Sequence, residues 1–495
     1  MNESDLKRAL GQLMIVGLPG GPWSSEWDRD IAELAPAGVI LFRRNAPSME
    51  VVKETTTRLQ TLAADEGFGP LLICADEEGG FLSPILGLED PAPAAMALGV
   101  AGSEDLTFRV AREAGARLRS LGLNLNLAPC VDVNDEPGNP VIGPRSFGSD
   151  PALVSTMGRR AVEGLREGGV LTAAKHFPGH GSTMLDSHKT LPVDPRSRDQ
   201  VAGSAQVFGE AVAAKVDFIM TAHVAFPGHT GRDDLPATFS HEVITSMLRE
   251  SLHFEGPVMS DALEMAAVSE IASPGEASRR FLDAGGDLLL FTYGDRQPGQ
   301  ARNELLRAVK DGTLAEDRME RSLARIAAAK SSIPPSSPPG EEGVFSEARE
   351  LGISVLADPE GEIPLDLRPG ESLVAFVPDP GLTEGSIHCE HLESELRSRH
   401  AGARVVQARR GEAADPGTLQ PRDLAIVFTL SRGPLDPWQE GWTREICHRA
   451  QRVVLVAAFN PHALPDLDRR VARLATYDFG THAMSALANR LFHAG

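Results

Sequence analysis

Cysteine is scarce in this chain: four residues in 495, at positions 74, 130, 389 and 447. They stand too far apart for a disulfide framework or a zinc ribbon. Cys74 and Cys130 fall in apolar runs, where a free thiol behaves as a small core residue. Positive charge is in deficit, with 48 Lys and Arg against 69 Asp and Glu and a formal net charge of −21. That excess repels nucleic acid and anionic membranes, so neither is expected as a partner. Long apolar runs are missing too. None approaches the roughly 20 residues that span a bilayer, and the opening segment MNESDLKRALGQLMIVG is acidic early and weakly apolar, a poor secretion signal. A cytoplasmic location is therefore expected.

What remains is the composition of an ordinary globular chain, 42% apolar and 24% charged, long enough for two or three domains. One segment punctuates it. SSIPPSSPPGEEG (331–343) holds four prolines and four serines, a semi-stiff linker composition. The predicted division is residues 1–330, a linker at 331–344, and residues 345–495.

In the first part, short apolar runs alternate with longer amphipathic ones. The runs are MIVGLPG (14–20), AGVILF (37–42), PLLICAD (70–76), LNLNLAPCVDV (123–133), GVLTAAKHF (169–177), VDFIMTAHV (216–224), GPVMSDA (256–262) and DLLLFT (287–292). Between the fourth and fifth, Asp150 and Pro151 supply a cap and a first-turn residue for a helix that Gly168 and Gly169 end. Its apolar positions 153, 157, 162 and 165 make one stripe. Eight strands alternating with helices predict an α/β fold, a (β/α)8 TIM-type barrel. A doubly wound sheet is the competitor, but polar residues cluster at the strand ends: Asp76, Asp132, Lys175, His176, His223 and Asp261. A barrel gathers those ends around one mouth. The second part also alternates, through SLVAFVP, ARVVQAR, DLAIVFTL, RVVLVAAF and RLATY. It is predicted to be a smaller three-layer α/β sandwich, and it lacks a Gly-rich phosphate fingerprint.

The densest chemistry is KHFPGHGSTMLDSHKT (175–190), with three histidines, two lysines and an aspartate. Pro178 and two glycines argue against a single helix there. Asp186 and His188 could pair, the carboxylate orienting the imidazole and favouring its charged form for general acid–base work; they could equally be a structural pair on a loop. Asp261 could be a helix N-cap or a nucleophile. Lys175 could be a solvated charge or a ligand donor, Asp76 the end of an ordinary turn before Gly79 and Gly80, and Arg145 the partner of any acid. Two chemistries compete at such a mouth. Metal-assisted hydrolysis would use His176, His180, His188, His223 and Asp261, although Phe177-Pro178-Gly179 keep His176 and His180 from forming a same-face helical pair. Glycoside cleavage would use an Asp nucleophile and a separate proton donor.

The segment KHFPGHGSTMLDSHKTLP closely resembles the K-H-F-P-G-H-G…D-S-H…P motif of bacterial β-N-acetylglucosaminidases in glycoside hydrolase family 3. LAPCVDVN…NPVIGPRSFG, IMTAHVAFP and VMSDALEM are similar to that family's motifs in the same order, over roughly residues 10 to 330. The C-terminal part is similar to the second sandwich domain of many members. The resemblance implies that Asp261 attacks the anomeric carbon, that His188 is acid and then base, and that Asp186 orients His188. It implies that Asp76, Arg145, Lys175, His176 and His223 bind the sugar or line its pocket. The expected activity is release of terminal GlcNAc from peptidoglycan- or chitin-derived saccharides, with retention and with no metal or cofactor. A phosphorylase, with phosphate replacing water, and a non-catalytic sugar-binding protein are the alternatives. One departure stands out: the family continues G-G-R-V-x-R where this chain has Gly79-Gly80-Phe81-Leu82-Ser83-Pro84. Two basic positions of the sugar pocket are lost, so altered affinity or substrate choice is expected.

Overall fold

The computed structural model describes residues 2–492 apart from 22, 294, 335–338, 383–385, 413–418, 421 and 468–470. The middle of the predicted linker thus lies outside the described residues.

Eight short strands close a parallel barrel: β1 Met14–Gly17, β2 Gly38–Ile40, β3 Leu72–Ala75, β4 Leu125–Asn126, β5 Leu171–Phe177, β6 Phe218–Thr221, β7 Val258–Ala262 and β8 Leu288–Phe291. Closure is made by β1 on β8, with Ile15 opposite Leu290. The strands are apolar and almost wholly buried because barrel interior and helix layer cover both faces. Each predicted run contains its strand. β4 is the shortest, since the peptide after Ala128 leads into Pro129, which has no N–H for a ladder; beyond it only an isolated bridge joins Cys130 to Lys175.

The helix predicted after Asp150 spans Pro151–Glu167, with Asp150 Oδ1 accepting from the Ala152 N–H at 3.0 Å. Met157, Val162 and Leu165 are buried as the stripe requires; the fourth position is shared, Val154 going inside and Leu153 half out. Cys74, Cys130 and Cys447 are buried free thiols.

The second domain is a six-stranded sheet, β9 Ser354–Ala357, β10 Leu373–Asp379, β11 Arg404–Arg409, β12 Leu424–Thr429, β13 Arg452–Ala457 and β14 Ala472–Ala475, in the order β11-β10-β12-β13-β14-β9. All neighbours are parallel except β9 on β14. Helices Cys389–Arg399 and Thr481–Leu491 pack through one apolar cluster and Pro437–Arg449 through another, which makes the three layers.

The two domains are clamped together. Helix Val344–Leu351 lies between barrel helices Ala95–Ala101 and Glu104–Ser120 on one side and Thr481–Leu491 on the other. Arg349, only 5% exposed, reaches Asp90 at 2.6 Å, and Arg117 sits over the Phe345 ring at 4.5 Å. No described helix is long and apolar enough to cross a membrane.

Candidate active site

The C-terminal ends of β3, β4, β5 and β7 converge on one mouth. At its floor is a buried ionic network. Lys175, 1% exposed, ends β5 and bonds through Nζ to both Asp76 and Glu78. Arg145 forks onto Glu78, Nε to Oε2 at 2.8 Å and Nη2 to Oε1 at 2.9 Å. Two cations therefore meet two carboxylates, which is what lets charge stay buried here. Burial alone would push Glu78 up, but Arg145 and Lys175 outweigh it and hold the carboxyl at about 2. Burial would likewise lower Lys175, yet Asp76 and Glu78 raise it.

His176 is fixed from both ends of its ring. Nδ1 lies 2.7 Å from Asp132 Oδ2, and Nε2 lies 3.3 Å from Arg145 Nη2. Asp132 is fully buried and also accepts the backbone N–H groups of His176 and His180. Burial works against its charge, but His176 and these donors hold it at about 2. An ionised carboxylate only accepts, so His176 Nδ1 carries the proton. The Lys175–His176 and Phe177–Pro178 peptides are cis.

Past β5 the chain makes the irregular loop expected at 178–190. His188 Nδ1 stands 2.9 Å from Asp186 Oδ1, and the same oxygen accepts the His188 backbone N–H at 2.9 Å. The imidazole is 64% exposed while Asp186 is 17% exposed, so the carboxylate is the anchored member. The hydrogen bond to Asp186 raises the His188 pKa above 6.5, burial opposes, and Asp261 adds to the rise. Asp186 itself is held at about 2 by His188. The loop is pinned by His180, whose Nδ1 meets Thr183 Oγ1 at 2.9 Å and whose Nε2 meets Ser187 Oγ at 3.0 Å. Burial drops His180 to about 4, so it stays neutral. The Ala267 N–H donates to the Ser187 carbonyl at 3.3 Å, which holds the loop over the segment that follows Asp261.

Asp261 is the penultimate residue of β7. Its Oδ1 accepts the Ala262 N–H at 2.8 Å, and it caps no helix: the next one, Ala266–Ser269, begins after Met265 without a side-chain cap. Burial opposes its ionisation, but His176, His223 and His188 overcome this and leave its pKa below the ordinary 3.8. His223, expected to line the sugar pocket, has both nitrogens engaged within the protein, Nδ1 with Thr238 Oγ1 at 2.7 Å and Nε2 with the Ala262 carbonyl at 3.0 Å. Its geometry is that of a brace for the end of β7.

Asp76, Arg145, Lys175, His176, Asp186, His188 and Asp261 are thus brought to one mouth. Glu78 was not singled out from the sequence. Its only signal was its place before Gly79 and Gly80, whose φ angles of 90° and 56° favour glycine; a Cβ on Gly79 would stand 2.4 Å from the Pro93 carbonyl oxygen. Of the two lost basic positions, 81 and 84, the first has a visible new partner. Phe81 packs at a tilt on Phe459 of the second domain, centroids 4.6 Å apart; Pro84 stands at the second basic position, and its neighbour Ser83 bonds to the buried Glu77.

The metal alternative finds no support in the ligand geometry. Among the described residues, the group with ligating atoms within 4.8 Å of one another is Cys130, Asp132 and His176. Its Asp132 oxygen is already taken by both neighbours, burial holds the Cys130 thiol well above its usual range, and the Arg145 cation stands beside His176. His180 and His223 are spent on hydroxyl and carbonyl partners.

Comparison with known proteins agrees with this arrangement. Residues 5–329 match the Glycosyl hydrolase family 3 N terminal domain. The chain belongs to glycosyl hydrolase family 3. Beta-hexosaminidase A of Pseudoalteromonas piscicida is 30% identical over 80% of this chain and 71% of its own. Beta-hexosaminidase LpqI of Mycobacterium bovis is 36% identical over 56% of this chain and 72% of its own. The structure of a family 3 β-N-acetylglucosaminidase from Paenibacillus superposes with a TM-score of 0.87 at 32% identity, covering 98% of this chain and 96% of that one. This family 3 protein is a glycoside hydrolase with the two-domain arrangement.

Proposed function

We propose that the protein removes terminal β-linked N-acetylglucosamine with retention of configuration, through a covalent ester on Asp261. The β-hexosaminidase and β-N-acetylglucosaminidase names of the relatives support the substrate class. The observation that carries the mechanism is the pairing of an exposed, charge-stabilised His188 with an anchored Asp186, beside an Asp261 kept ionised.

In the first half-reaction an Asp261 oxygen bonds to the anomeric carbon while the bond to the leaving oxygen breaks. The His188 Nε2 proton passes to that oxygen. Asp186 accepts from Nδ1–H throughout, so Nε2 alone faces the reaction. In the second half-reaction water bonds to the anomeric carbon, its proton returns to Nε2, and the bond to Asp261 breaks. Two inversions give net retention. Asp76, Lys175, Arg145 and His176 are proposed to hold the sugar hydroxyls. His223 is proposed as a support for β7 rather than a sugar ligand. Residues 1–330 carry this chemistry, with residues 345–495 packed against the mouth, and saccharides from cell-wall turnover are the proposed source of substrate.

The test is release of chromophore from an aryl β-N-acetylglucosaminide with and without EDTA, alongside Asp261→Ala. EDTA-resistant turnover abolished in the variant supports the ester mechanism. Turnover lost to EDTA, or retained without the Asp261 carboxylate, overturns it.

A further inference from the structure

Two consecutive residues of the second domain meet two loops of the mouth. Phe459 and Asn460 come just past β13, and each is 3% exposed. Phe459 packs on Phe81, which continues the loop that carries Asp76 and Glu78. Asn460 spends both amide hydrogens on carbonyls. One stays within its own domain, on Arg432 at 2.9 Å, and the other crosses to Pro137 of the barrel at 3.1 Å. Its Oδ1 accepts the His462 N–H at 2.9 Å, and its backbone N–H reaches the Ser431 carbonyl at 3.3 Å. A side chain held at so many points presents its donor to Pro137 in one fixed place.

Pro137 belongs to a turn closed on itself. The Asn139 N–H donates to the Glu136 carbonyl at 3.0 Å, and the Gly138 N–H donates to Glu136 Oε1 at 2.8 Å. The far side of this turn is tied to the stem of the loop bearing His188. Asn139 Nδ2 donates to the His180 carbonyl at 2.8 Å, and the Glu136 N–H reaches the Gly181 carbonyl at 3.3 Å. Ser182 Oγ bonds to Asp135, the residue before the turn. The fit is close: a Cβ on Gly433 would stand 3.3 Å from the Gly138 carbonyl oxygen, and one on Gly138 would stand 3.8 Å from the Met184 methyl. His180 passes the hold onward, its Nε2 lying 3.0 Å from the hydroxyl of Ser187, between Asp186 and His188. Hydrogen bonds and short stretches of chain thus lead without a gap from Asn460 to the acid–base pair.

We propose that Asn460 is a positioning residue delivered by the second domain, which sets His188 against the leaving oxygen. It acts through turn 136–139 and touches no sugar. Rate is lost steeply when a catalytic group is displaced by a fraction of its hydrogen-bond reach. The loss has a signature here. A poor leaving group such as phenolate departs only with a proton from the general acid, whereas 2,4-dinitrophenolate departs unaided. A misplaced His188 is therefore felt on the first and not on the second. A residue that only glued the domains together would affect both alike, through the amount of folded protein. The inference rests on the reading of Asp186 and His188 given above, since that pair is what Asn460 is argued to place.

The test measures kcat/KM for phenyl and 2,4-dinitrophenyl β-N-acetylglucosaminide with the whole chain. The variants are Asn460→Ala, Asn460→Asp, Asn139→Asp, and Asn460→Ala combined with Asn139→Asp. Asn460→Asp removes the donors and keeps the acceptor for His462. Asn139→Asp likewise removes the donor to His180 and keeps the acceptor for the Val141 and Ile142 N–H groups. Each Asn460 variant should lower kcat/KM on the phenyl glycoside about tenfold more than on the dinitrophenyl one, a modest displacement of the acid. Asn139→Asp should show the same split. The double variant should lose little more than the worse single one, because both changes cut one route. Equal losses on the two glycosides, no loss, fully additive losses in the double variant, or failure of both Asn460 variants to fold overturns the inference. Asp261-dependent turnover of the wild type then leaves the functional reading standing. Absence of wild-type turnover on both glycosides overturns the functional reading and this inference with it.

Discussion

His188 Nδ1 and Asp186 Oδ1 are 2.9 Å apart, and that one oxygen also takes the His188 backbone N–H. The imidazole is thereby fixed in tautomer while its other nitrogen stays in the open mouth. In the proposed mechanism the donated proton is held on Nε2, and the hydrogen bond to Asp186 raises the pKa of His188. In that mechanism glycosylation requires protonated His188 and ionised Asp261. The pKa of His188 lies above 6.5 and that of Asp261 below 3.8. The pH profile of kcat/KM should therefore fall on the alkaline side through a value above 6.5, with its acid limb below 3.8. Asp186→Asn removes the charge that raises His188, so the alkaline limb should move down toward 6.5 and the rate at pH 7 should drop by about 10²-fold or more. Stopped assays across pH on both proteins check this; an unmoved alkaline limb in the variant excludes His188 as the proton donor.

The barrel was legible in the sequence because each strand lies in a short, mostly apolar run and several of the intervening helices open on a Ser or Asp cap, as at Ser48, Ser103, Asp150, Ser197 and Ser273. The polar strand ends then pointed to one mouth. What the sequence hid was of another kind. Asp261 as a cap or a nucleophile, and Lys175 as a surface charge or a buried one, depend on burial and partners that are far away in the chain. Glu78 pairs with Arg145 over 67 positions. β9 was missed because Ser354–Ala357 is short and only half covered, as an edge strand is. The contact between Asn460 and the Pro137 carbonyl has no local signature either, since it joins segments 323 positions apart.

Phe81 stands where the resembled motif has a basic residue, and its ring packs on Phe459 at the domain interface. Phe81→Ala should destabilise the chain by about 2 kcal/mol, the lower range for truncating a half-covered aromatic. Limited proteolysis should become faster between the domains. Thermal unfolding and a digestion time course measure both. An unchanged melting temperature would show that the Phe81–Phe459 pair adds nothing to docking.

Glu77 is 3% exposed. Its Oε2 accepts the Ile85 and Leu86 N–H groups, each at 3.1 Å, and Ser83 bonds to Oε1. Burial raises its pKa to about 8 despite those donors. A folded-state value above the unfolded one stabilises the fold fully below the unfolded pKa of about 4.5. That contribution is lost as pH rises through 8. Glu77→Gln keeps the shape and removes the titration, so its advantage over wild type should grow from pH 5 to pH 9, reaching on the order of 3 kcal/mol. Denaturant curves at several pH values read the difference. A constant difference across that range would mean Glu77 ionises in the folded state as it does in the unfolded one.

Ser187 connects the dyad to its support. Its hydroxyl meets His180 Nε2 at 3.0 Å and its carbonyl accepts from Ala267 N–H at 3.3 Å, so the residue between Asp186 and His188 is fastened to both the loop stem and the segment after Asp261. Ser187→Ala removes the side-chain bond and keeps the backbone one. The sugar floor of Lys175, Arg145 and Glu78 is untouched, so KM should stay within about twofold. The acid–base group loses part of its placement, and small displacements of a positioned catalytic group cost rate steeply. A fall in kcat of about tenfold is expected, with the pH at which His188 titrates unchanged because Asp186 remains. Ser187→Thr, which keeps the hydroxyl, should recover most of it. Equal changes in kcat and KM, or a shifted alkaline limb, would show that Ser187 acts through folding or charge and not through placement of His188.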